Sequence, residues 1–423
     1  MSTTIIFDKV SVVGLGYVGL PTAAVIASRK VKVVGVDVNQ HAVDIINQGN
    51  IHIVEPELDT LVHSVVKDNI LWATTKPEPA DAFLIAVPTP FKDNHEPDLS
   101  FIEQASKAIA AVLEKGNLVI LESTSPVGAT GQMSVWMAEC RPDLTFPHSH
   151  GEKSDIRVAY CPERILPGRI VRELVENDRV VGGMTPACSK AATALYKIFV
   201  QGECIAVDAR TAEMCKLTEN SFRDVNIAFA NELSNICDQL DVDVWELIQL
   251  ANRHPRVEIL QPGCGVGGHC IAVDPWFIIS KTPEEAKLMR CARETNDSKP
   301  NVVTNAIISH AKHLKTKQIA CLGITYKPDI DDLRESPALK IVLNLTHMGY
   351  RVKVVEPNID TLPELLDTAG CQLVSLEEAL RESKKQLIAV LVAHKEFKAS
   401  KELRSIAALY SATPLVDRYV SYV

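Results

Sequence analysis

The chain has no concentrated positive charge, no apolar run of membrane-spanning length and no paired cysteine motif. Its 423 residues carry a net charge of −9 without a Lys/Arg cluster, which argues against a nucleic-acid-binding surface. The N-terminus lacks the basic start and long apolar stretch of a signal peptide. The eleven cysteines include no Cys-x-x-Cys pair, which favours thiols over a disulfide framework. We therefore expect a cytoplasmic protein.

Repeats and metal-binding patterns are missing as well. No low-complexity segment or short repeat occurs, and the length suggests two or three domains. His148 and His150 lie close together, but no third ligand accompanies them at suitable spacing. We expect no metal site.

The first half of the chain alternates short apolar runs with helical patterns, which indicates a parallel sheet covered by helices. Its predicted strands are Lys9–Val13, Val31–Val36, Ala82–Ala86, Leu118–Leu121 and Val158–Tyr160. Its predicted helices are Tyr17–Ser28, His41–Gln48 and Phe101–Leu113.

From Thr211 to about Leu250 the sequence is helical with a broad apolar face, which we interpret as both a link between domains and a dimer interface. A second α/β run starts near Asn301. Its predicted strands are Lys317–Gly323, Val352–Glu356, Leu387–Val392 and Leu415–Asp417, and its predicted helices are Pro337–Met348 and Leu376–Glu382. We therefore predict an α/β fold of two Rossmann-like, doubly wound domains, residues 1–205 and 301–423, joined by a long central helical segment, residues 206–300.

A G-x-G-x-x-G sequence, Gly14–Gly19, follows the first predicted strand and opens a helix. Gly14 permits a tight turn, Gly16 lets the backbone approach a pyrophosphate, and Gly19 lets the helix pack on the sheet. Asp37 ends the next strand, where it would bind a ribose diol and repel a 2′-phosphate. This context favours NAD over NADP.

Four further residues complete the expected cofactor site. Tyr17 and Val18 lie inside the turn itself. Thr89 and Thr124 each follow a predicted strand, at the sheet edge where open α/β sheets place their ligands. A simple loop-capping role for Thr124 stays open.

One cysteine, Cys270, emerges from a loop of four glycines within Gly263–Pro275, four residues before Asp274. A glycine-rich loop lets backbone N–H groups crowd one point, which suits a thiolate or an oxyanion. Cys270 is therefore a candidate nucleophile. From this segment alone, an ordinary buried cysteine in a tight turn is an equally good interpretation.

Lys216 and Asn220 lie four residues apart and share a helical face. An ammonium beside an amide donor makes a preorganised pair for a developing oxyanion. Taken alone, the pair is better explained as an exposed lysine on a solvated helix surface than as an oxyanion site.

The glycine turn, the helix with Lys216 and Asn220, and the Cys270 loop are accompanied by Pro162-Glu163-Arg164 and Tyr326-Lys327-Pro328. The order of these segments along the chain resembles that of the UDP-sugar 6-dehydrogenases of the UDP-glucose/GDP-mannose dehydrogenase family. The resemblance covers essentially the whole chain. The stretches Cys161–Gly168, Asn177–Arg179 and Gly265–Phe277 are similar to the family branch that acts on UDP-N-acetyl-D-mannosamine.

Individual positions separate the branches. His269 and Ile271–Val273 depart from the UDP-glucose branch, and Glu122 stands where that branch often has Lys. Cys264 departs from the mannosamine branch, where Pro is usual, and we expect it to change loop stiffness rather than chemistry.

The resemblance implies that the sugar C6 hydroxyl is oxidised twice, with two NAD molecules in succession, to give UDP-N-acetyl-D-mannosaminuronate for a cell-surface polysaccharide. Cys270 attacks the intermediate aldehyde, the thiohemiacetal is oxidised to a thioester, and water releases the acid. Lys216 and Asn220 stabilise oxyanions. Asp274 or Glu163 positions or deprotonates water, and which of them is the base stays open.

The resemblance also assigns UDP-sugar contacts, which we expect from Glu163, Arg164, Lys216, Asn220, Arg223, Arg256, Gly267, Tyr326, Lys327 and Arg334. Asp331 and Asp332 would be unusual beside an anion, and a salt bridge to Arg334 explains them. Arg256 resembles a family arginine that reaches the sugar nucleotide from the neighbouring subunit, which implies a homodimer. A surface arginine in a loop is the competing interpretation.

Other functions fit parts of the pattern. A UDP-N-acetylglucosamine or UDP-glucose 6-dehydrogenase is the nearest alternative. A 3-hydroxyacid-type dehydrogenase shares the fold but transfers one hydride and needs no thiol. An inactive nucleotide-sugar sensor would bind the ligands without turnover.

Overall fold

The computed structural model describes residues 5–53, 55–92, 95–165, 168–268 and 270–415. Contacts divide the chain into two compact units, the first ending at Thr218 and the second beginning at Glu219. Two parts of the branch-specific stretches, His269 and residues 166–167, lie outside the described residues.

The first unit is built on a sheet with eight strands in the described residues. The strands are β1 Lys9–Val13, β2 Lys32–Val36, β3 Leu71–Thr74, β4 Ala82–Ile85, β5 Leu118–Leu121, β6 Arg157–Tyr160, β7 Arg179–Gly183 and β8 Cys204–Asp208. Their order is β3-β2-β1-β4-β5-β6-β7-β8, and only β6 and β7 pair antiparallel. The first six strands have the order of a dinucleotide-binding fold, which reverses direction between β1 and β4.

Helices cover both faces of this sheet because its central strands are apolar on both sides: every residue of β4 and β5 is buried. The helices are α1 Gly19–Ser28, α2 Gln40–Asn47, α3 Leu58–Lys67, α4 Ser100–Ala110, α5 Ala129–Cys140, α6 Pro147–His150, α7 Ile170–Glu176 and α8 Pro186–Tyr196. A 3-10 helix spans Gly151–Lys153.

Helix α9, Ala209–Leu240, begins in the first unit and continues into the second. The second unit has a parallel sheet with order β11-β10-β9-β12-β13, the same order as the first five strands of the first unit. Its strands are β9 Gln318–Leu322, β10 Arg351–Val355, β11 Gln372–Leu373, β12 Leu387–Val390 and β13 Leu409–Ser411. Its helices are α10 Val244–Ala251, α11 Asp274–Lys281, α12 Lys287–His313, α13 Pro337–His347, α14 Glu364–Thr368, α15 Leu376–Arg381, α16 Lys395–Ala399 and α17 Lys401–Arg404.

The predicted fold class is confirmed, with two doubly wound α/β regions and a long helix between them. The predicted helix to Leu250 is wrong in one respect, because α9 ends at Leu240 and the next residue, Asp241, has a φ of +55°. Asp243 then caps a new helix, α10, by accepting hydrogen bonds from the backbone N–H groups of Trp245 and Glu246. No helix in the described ranges has both the length and the apolarity needed to cross a bilayer.

The predicted last strand, Leu415–Asp417, is also wrong where it can be examined. Leu415 lies in no strand, residues 416–417 lie outside the described residues, and the strand that completes the sheet is β13. Sequence reasoning also overlooked α12, which runs through Asn301.

Candidate active site

The three glycines of the Gly14–Gly19 turn meet different surroundings. Gly14 has a φ of +91°, and a Cβ there would lie 2.5 Å from the Ala86 carbonyl oxygen. A Cβ on Gly19 would lie 1.8 Å from the Gly14 carbonyl oxygen, whereas a Cβ on Gly16 would meet nothing within 4 Å. The protein itself therefore requires Gly14 and Gly19, while Gly16 leaves bare backbone open to a ligand.

Asp37 lies at the end of β2, as predicted, and its carboxylate organises the turn. Its Oδ2 accepts a hydrogen bond from Leu15 N at 2.8 Å, and its Oδ1 accepts one from Asn39 N at 2.9 Å. The side chain remains half-exposed. Carboxylate lone pairs that these two amides do not use are available to a ribose diol.

The loops after β4 and β5 carry the two predicted threonines. Ser123 Oγ donates to the Val87 carbonyl oxygen at 2.6 Å and so ties the two loops together. Thr124 is half-buried beside Ser123. The Thr89 hydroxyl is buried and has no hydrogen-bond partner in the described residues, so it is available to a polar atom of a bound ligand.

Exposed side chains complete this edge of the sheet. Tyr17 is exposed and Val18 half-buried, next to the open backbone of Gly16. Open backbone, a helix N-terminus, a diol acceptor at Asp37 and an unsatisfied hydroxyl at Thr89 are together the features that NAD requires.

The predicted nucleophile, Cys270, is exposed and lies one turn before α11. Its carbonyl oxygen accepts hydrogen bonds from Val273 N at 3.0 Å and Asp274 N at 2.8 Å. Asp274 is buried, and its Oδ2 accepts a hydrogen bond from Asn220 Nδ2 at 2.5 Å. The structure thus joins the side chains of Asn220 and Asp274 directly, and the Asp274 backbone is hydrogen-bonded to that of Cys270.

The glycine loop before Cys270 packs against the segment that holds Tyr326. Gly268 has a φ of +78°, and its N–H donates to the Arg334 carbonyl oxygen at 3.0 Å. A Cβ on Gly267 would lie 2.7 Å from both the Glu335 carbonyl oxygen and Tyr326 Cβ. This close approach of backbone to backbone explains the glycines without a ligand.

The nucleotide end of the second unit repeats the construction of the first. Gly323 ends β9 with a φ of +82°, and its N–H donates to Val355 O at 2.8 Å, as Gly14 N donates to Val36 O. Glu356 occupies the place of Asp37, since its Oε2 accepts from Ile324 N at 2.8 Å. Glu356 is buried, however, and also bonds His394 Nε2 at 3.0 Å, so its carboxylate is already used.

The loop after Gly323 carries the predicted nucleotide contacts. Arg334 is exposed and paired with Asp332 through Nε at 3.0 Å and Nη2 at 2.5 Å, which confirms the predicted salt bridge for Asp332. Lys327 is exposed. Burial raises the pKa of Tyr326, and Asp332 and Cys270 raise it further. Tyr326 thus lies within electrostatic range of the cysteine.

Four further predicted residues lie on α9 or in loops. Arg223 acts electrostatically on Tyr326 and is exposed on α9. Arg256 is exposed in the loop after α10. Lys216 is half-buried on α9, one turn before Asn220. Arg164 is half-buried, and Asn177 Nδ2 donates to its carbonyl oxygen at 3.1 Å.

Glu163 is held in a buried ion pair that sequence reasoning did not find. Arg179 Nη1 donates to its Oε2 at 2.7 Å, and Arg164 N donates to its Oε1 at 2.8 Å. Nearby, Tyr196 OH donates to Glu122 Oε1 at 2.6 Å, and burial raises the pKa of Glu122 to about 7. An arginine at the start of the otherwise apolar β7 was the available signal.

Three further buried charged residues were missed. Glu213 accepts from Gly128 N at 2.6 Å and Thr130 Oγ1 at 2.6 Å, which fixes the start of α9 to the start of α5. Arg293 donates to Asp224 Oδ1 at 2.6 Å with both side chains fully buried. Glu213 and Asp224 both lie on the helix predicted from Thr211, so a charged residue among its apolar positions was the available signal for these two contacts.

His148 and His150 do not form a metal site with other residues in the described ranges, where no group of three or more metal-ligating side chains occurs. His148 Nδ1 is instead hydrogen-bonded with Ser134 Oγ at 2.9 Å.

Comparison with known proteins gives three consecutive family matches. Residues 8–200 match the NAD binding domain of the UDP-glucose/GDP-mannose dehydrogenase family, residues 210–298 its central domain, and residues 320–420 its UDP binding domain.

Curated relatives and solved structures agree. A UDP-N-acetyl-D-mannosamine dehydrogenase from Campylobacter jejuni is 67% identical over 394 residues, 92% of this chain and 96% of that protein. An NDP-N-acetyl-D-galactosaminuronic acid dehydrogenase from Ralstonia nicotianae is 63% identical over 393 residues, 93% of this chain and 92% of that protein. The structure of a UDP-D-ManNAc dehydrogenase from Pyrococcus horikoshii is 36% identical with a TM-score of 0.87, covering 97% of this chain and 96% of that one. The resemblance in the sequence is confirmed, and the chain belongs to the UDP-glucose/GDP-mannose dehydrogenase family.

Proposed function

We propose that this protein is an NAD-dependent dehydrogenase that oxidises UDP-N-acetyl-D-mannosamine twice at C6, giving UDP-N-acetyl-D-mannosaminuronate. The observation that carries the proposal is the exposed Cys270 one turn before Asp274, whose carboxylate is bonded to Asn220 Nδ2 at 2.5 Å. Oxidation of an alcohol to a carbonyl needs no thiol, whereas a thiol that adds to the resulting aldehyde retains it covalently for a second oxidation. NAD bound at the Gly14–Gly19 turn supplies the hydride acceptor.

The residues of the chain then have distinct roles. The Cys270 sulfur adds to the C6 aldehyde, and loss of hydride from the thiohemiacetal leaves a thioester. The Lys216 ammonium and the Asn220 amide are the donors for the oxyanions. Asp274, held by Asn220, and Glu163, held by Arg179, are the two candidate bases for hydrolysis.

The test is the stoichiometry of the purified protein and the fate of its Cys270→Ser variant. With UDP-N-acetyl-D-mannosamine we expect two NADH per uronate formed. The variant should form no free acid, and intact-mass spectrometry should detect a trapped ester. A ratio near one would contradict the thioester route and favour a single-hydride dehydrogenase. Binding of both ligands without NADH would favour a sensor.

The galacto epimer is a second candidate substrate because a relative 63% identical to this chain is named for an N-acetylgalactosaminuronic acid. The same assay with the manno, gluco and galacto epimers and with UDP-glucose separates the alternatives. If acid forms only from another sugar, the mannosamine assignment is wrong, while two NADH per acid still supports the route through Cys270.

The proposal includes a homodimer with Arg256 contributed across the interface. On α9, Phe222, Phe229 and Ile236 follow each other at seven-residue intervals and are 68%, 54% and 45% exposed. An apolar stripe of this kind is typical of a helix that pairs with another copy. Reduced thiols and a nucleotide-sugar substrate also agree with the expected cytoplasmic location.

Complementation tests the shared site. Mixed dimers of the Cys270→Ser and Arg256→Ala variants contain one intact site if Arg256 acts across the interface and none if it acts within its own subunit. We expect recovered activity in the mixture. As a check on the interface, Phe229→Lys should give monomers in analytical ultracentrifugation.

A further inference from the structure

Glu163 belongs to a closed cluster of ionisable groups in the first unit. Its members are buried, none exposing more than 8% of its surface, and are Glu122, Cys161, Glu163, Arg179 and Tyr196. Glu122 follows β5, Cys161 and Glu163 follow β6, Arg179 begins β7 and Tyr196 ends α8. These are also the groups that act electrostatically on Glu122 and on each other.

The cluster holds two carboxyl groups and one permanent cation. Arg179 Nη1 lies 2.7 Å from Glu163 Oε2, and the guanidinium lies 5.4 Å from the centre of the Tyr196 ring. Glu122 has one partner, the Tyr196 hydroxyl at 2.6 Å, and its Oε2 is buried without any partner in the described residues. Arg179 therefore balances the charge of Glu163, and a second buried carboxylate would be uncompensated.

We propose that Glu122 is a positioning residue that stores a proton beside Glu163 and, by releasing it, makes Glu163 a stronger base. When Glu122 is neutral, a proton accepted by Glu163 leaves the Arg179 charge unbalanced. When Glu122 is ionised, the same proton transfer leaves Arg179 balanced by Glu122. The proton affinity of Glu163 is therefore higher when Glu122 is ionised.

Titration of Glu122 falls in the physiological range. Burial raises the pKa of Glu122 to about 7, the charge of Glu163 adds to the rise, and Tyr196 and Arg179 oppose it. Burial also raises the pKa of Cys161 to about 12 and raises the pKa of Tyr196 well above its usual value. Both side chains therefore stay neutral near pH 7.

The inference rests on the proposed function and takes Glu163, one of its two candidate bases, as the base for thioester hydrolysis. In that step the water oxygen bonds to the thioester carbon and one water proton passes to Glu163. The carbon–sulfur bond breaks, its electron pair leaves on the Cys270 sulfur, and the acid is released. Glu122 acts on this step only through the proton affinity of Glu163.

The experiment follows hydrolysis alone. The wild-type thioester is formed with substrate and NAD, and its decay is measured by intact-mass spectrometry from pH 5.5 to 8.5. We expect the rate to rise about tenfold per pH unit below an inflection near pH 7. Glu122→Gln, which has the same shape and no proton to lose, should keep the slow low-pH rate and lose the inflection. An unchanged inflection in this variant would overturn the proposal.

A second measurement does not depend on activity. Infrared difference spectra with ¹³C-glutamate, recorded between pH 6 and pH 8, should show a protonated carboxyl band in the wild type that is missing in Glu122→Gln. Tyr196→Phe removes a bond that favours the ionised form, so it should move the titration of this band to higher pH. If no thioester forms, the proposed function fails while the band still tests the stored proton. A wild type without the band overturns the inference itself.

Discussion

Gly16 and Gly19 are two residues of the same turn for which the structure demands different outcomes on substitution. A Cβ at position 19 would overlap the Gly14 carbonyl oxygen, so Gly19→Ala should lower the free energy of unfolding by about 3 kcal/mol. A Cβ at position 16 meets nothing within 4 Å, so Gly16→Ala should fold normally but bind NAD at least about tenfold more weakly. Urea unfolding and NADH fluorescence titration measure the two effects. Normal NAD binding by Gly16→Ala would show that this turn is not part of the NAD site.

Glu122 gives the stability of the protein a pH dependence with a definite sign. Its pKa rises from 4.5 in the unfolded chain to about 7 in the fold, so between these values the folded state holds the extra proton. The stabilisation from this group is complete below pH 4.5 and is lost as the pH rises through 7.

Glu122→Gln lacks this titration. Relative to wild type, the variant should therefore gain up to about 3 kcal/mol of unfolding free energy between pH 4.5 and pH 8. Urea unfolding of both proteins at several pH values measures the difference. A difference that does not change with pH would show that Glu122 is ionised throughout.

Helices α9 and α12 are joined inside the second unit by a fully buried ion pair. Arg293 Nη1 donates to Asp224 Oδ1 at 2.6 Å and approaches the Ile271 carbonyl oxygen at 3.5 Å, next to Cys270. Asn296 Nδ2 also donates to Asp224 Oδ1, at 2.8 Å. The helices are therefore connected to the loop that carries the nucleophile.

Removing one member of the Asp224–Arg293 ion pair should lower the unfolding free energy more than removing both. Arg293→Leu leaves the Asp224 carboxylate buried without its cation, and we expect a loss of about 3–5 kcal/mol in unfolding free energy. The double variant Asp224→Leu/Arg293→Leu should recover most of it, because the carboxylate that remains, Asp297, is half-exposed and leaves no unpaired charge in the interior. A double-mutant cycle in urea measures the coupling. If the double variant is no more stable than Arg293→Leu, the ion pair is not the source of the cost.

Sequence patterns predicted eight of the thirteen strands in the described residues, because short apolar runs define buried parallel strands, but they indicated no strand at β3, β7, β8, β11 or β13. Lys9–Val13 and Leu118–Leu121 were predicted without error, and most other bounds shifted by one or two residues. Helix α12 was not predicted because Pro300, which normally ends a helix, stands inside it. Buried hydrogen bonds hold that turn, among them Lys299 Nζ to Ser234 Oγ at 2.6 Å.

The same limit applies to the site. Spacing along one helix or one loop indicated Asn220, Cys270 and Asp274, because their relation is local or belongs to a motif. Glu163 and Arg179 lie 16 positions apart, and Glu122 and Tyr196 lie 74 apart, on separate strands and helices. No local sequence pattern shows which buried charged residues contact each other, because the order of the strands in the sheet determines those contacts.

The molecule uses one sheet construction twice and makes only one copy suitable for a dinucleotide. In both units a glycine with positive φ follows the first strand. A carboxylate just after the second strand accepts a hydrogen bond from the backbone N–H of the residue after that glycine. Asp37 stays half-exposed beside the open Gly16, whereas Glu356 is buried against His394. The first unit therefore retains a diol acceptor and the second does not, which agrees with the family matches to NAD and UDP binding domains.

This division predicts separate protection of the two units in hydrogen exchange. NAD should slow exchange in peptides that contain the Gly14–Gly19 turn and the loop at Thr89, while UDP should slow exchange in peptides from residues 323–337, because each ligand stabilises the segment that binds it. Gly16→Ala is the matched control, since it should abolish the protection by NAD and leave that by UDP intact. Protection of the Gly14–Gly19 turn by UDP alone would contradict the assignment. In that case the exposed carboxylate of Asp37 would be no guide to the dinucleotide, and the two copies of the sheet would be equivalent in binding.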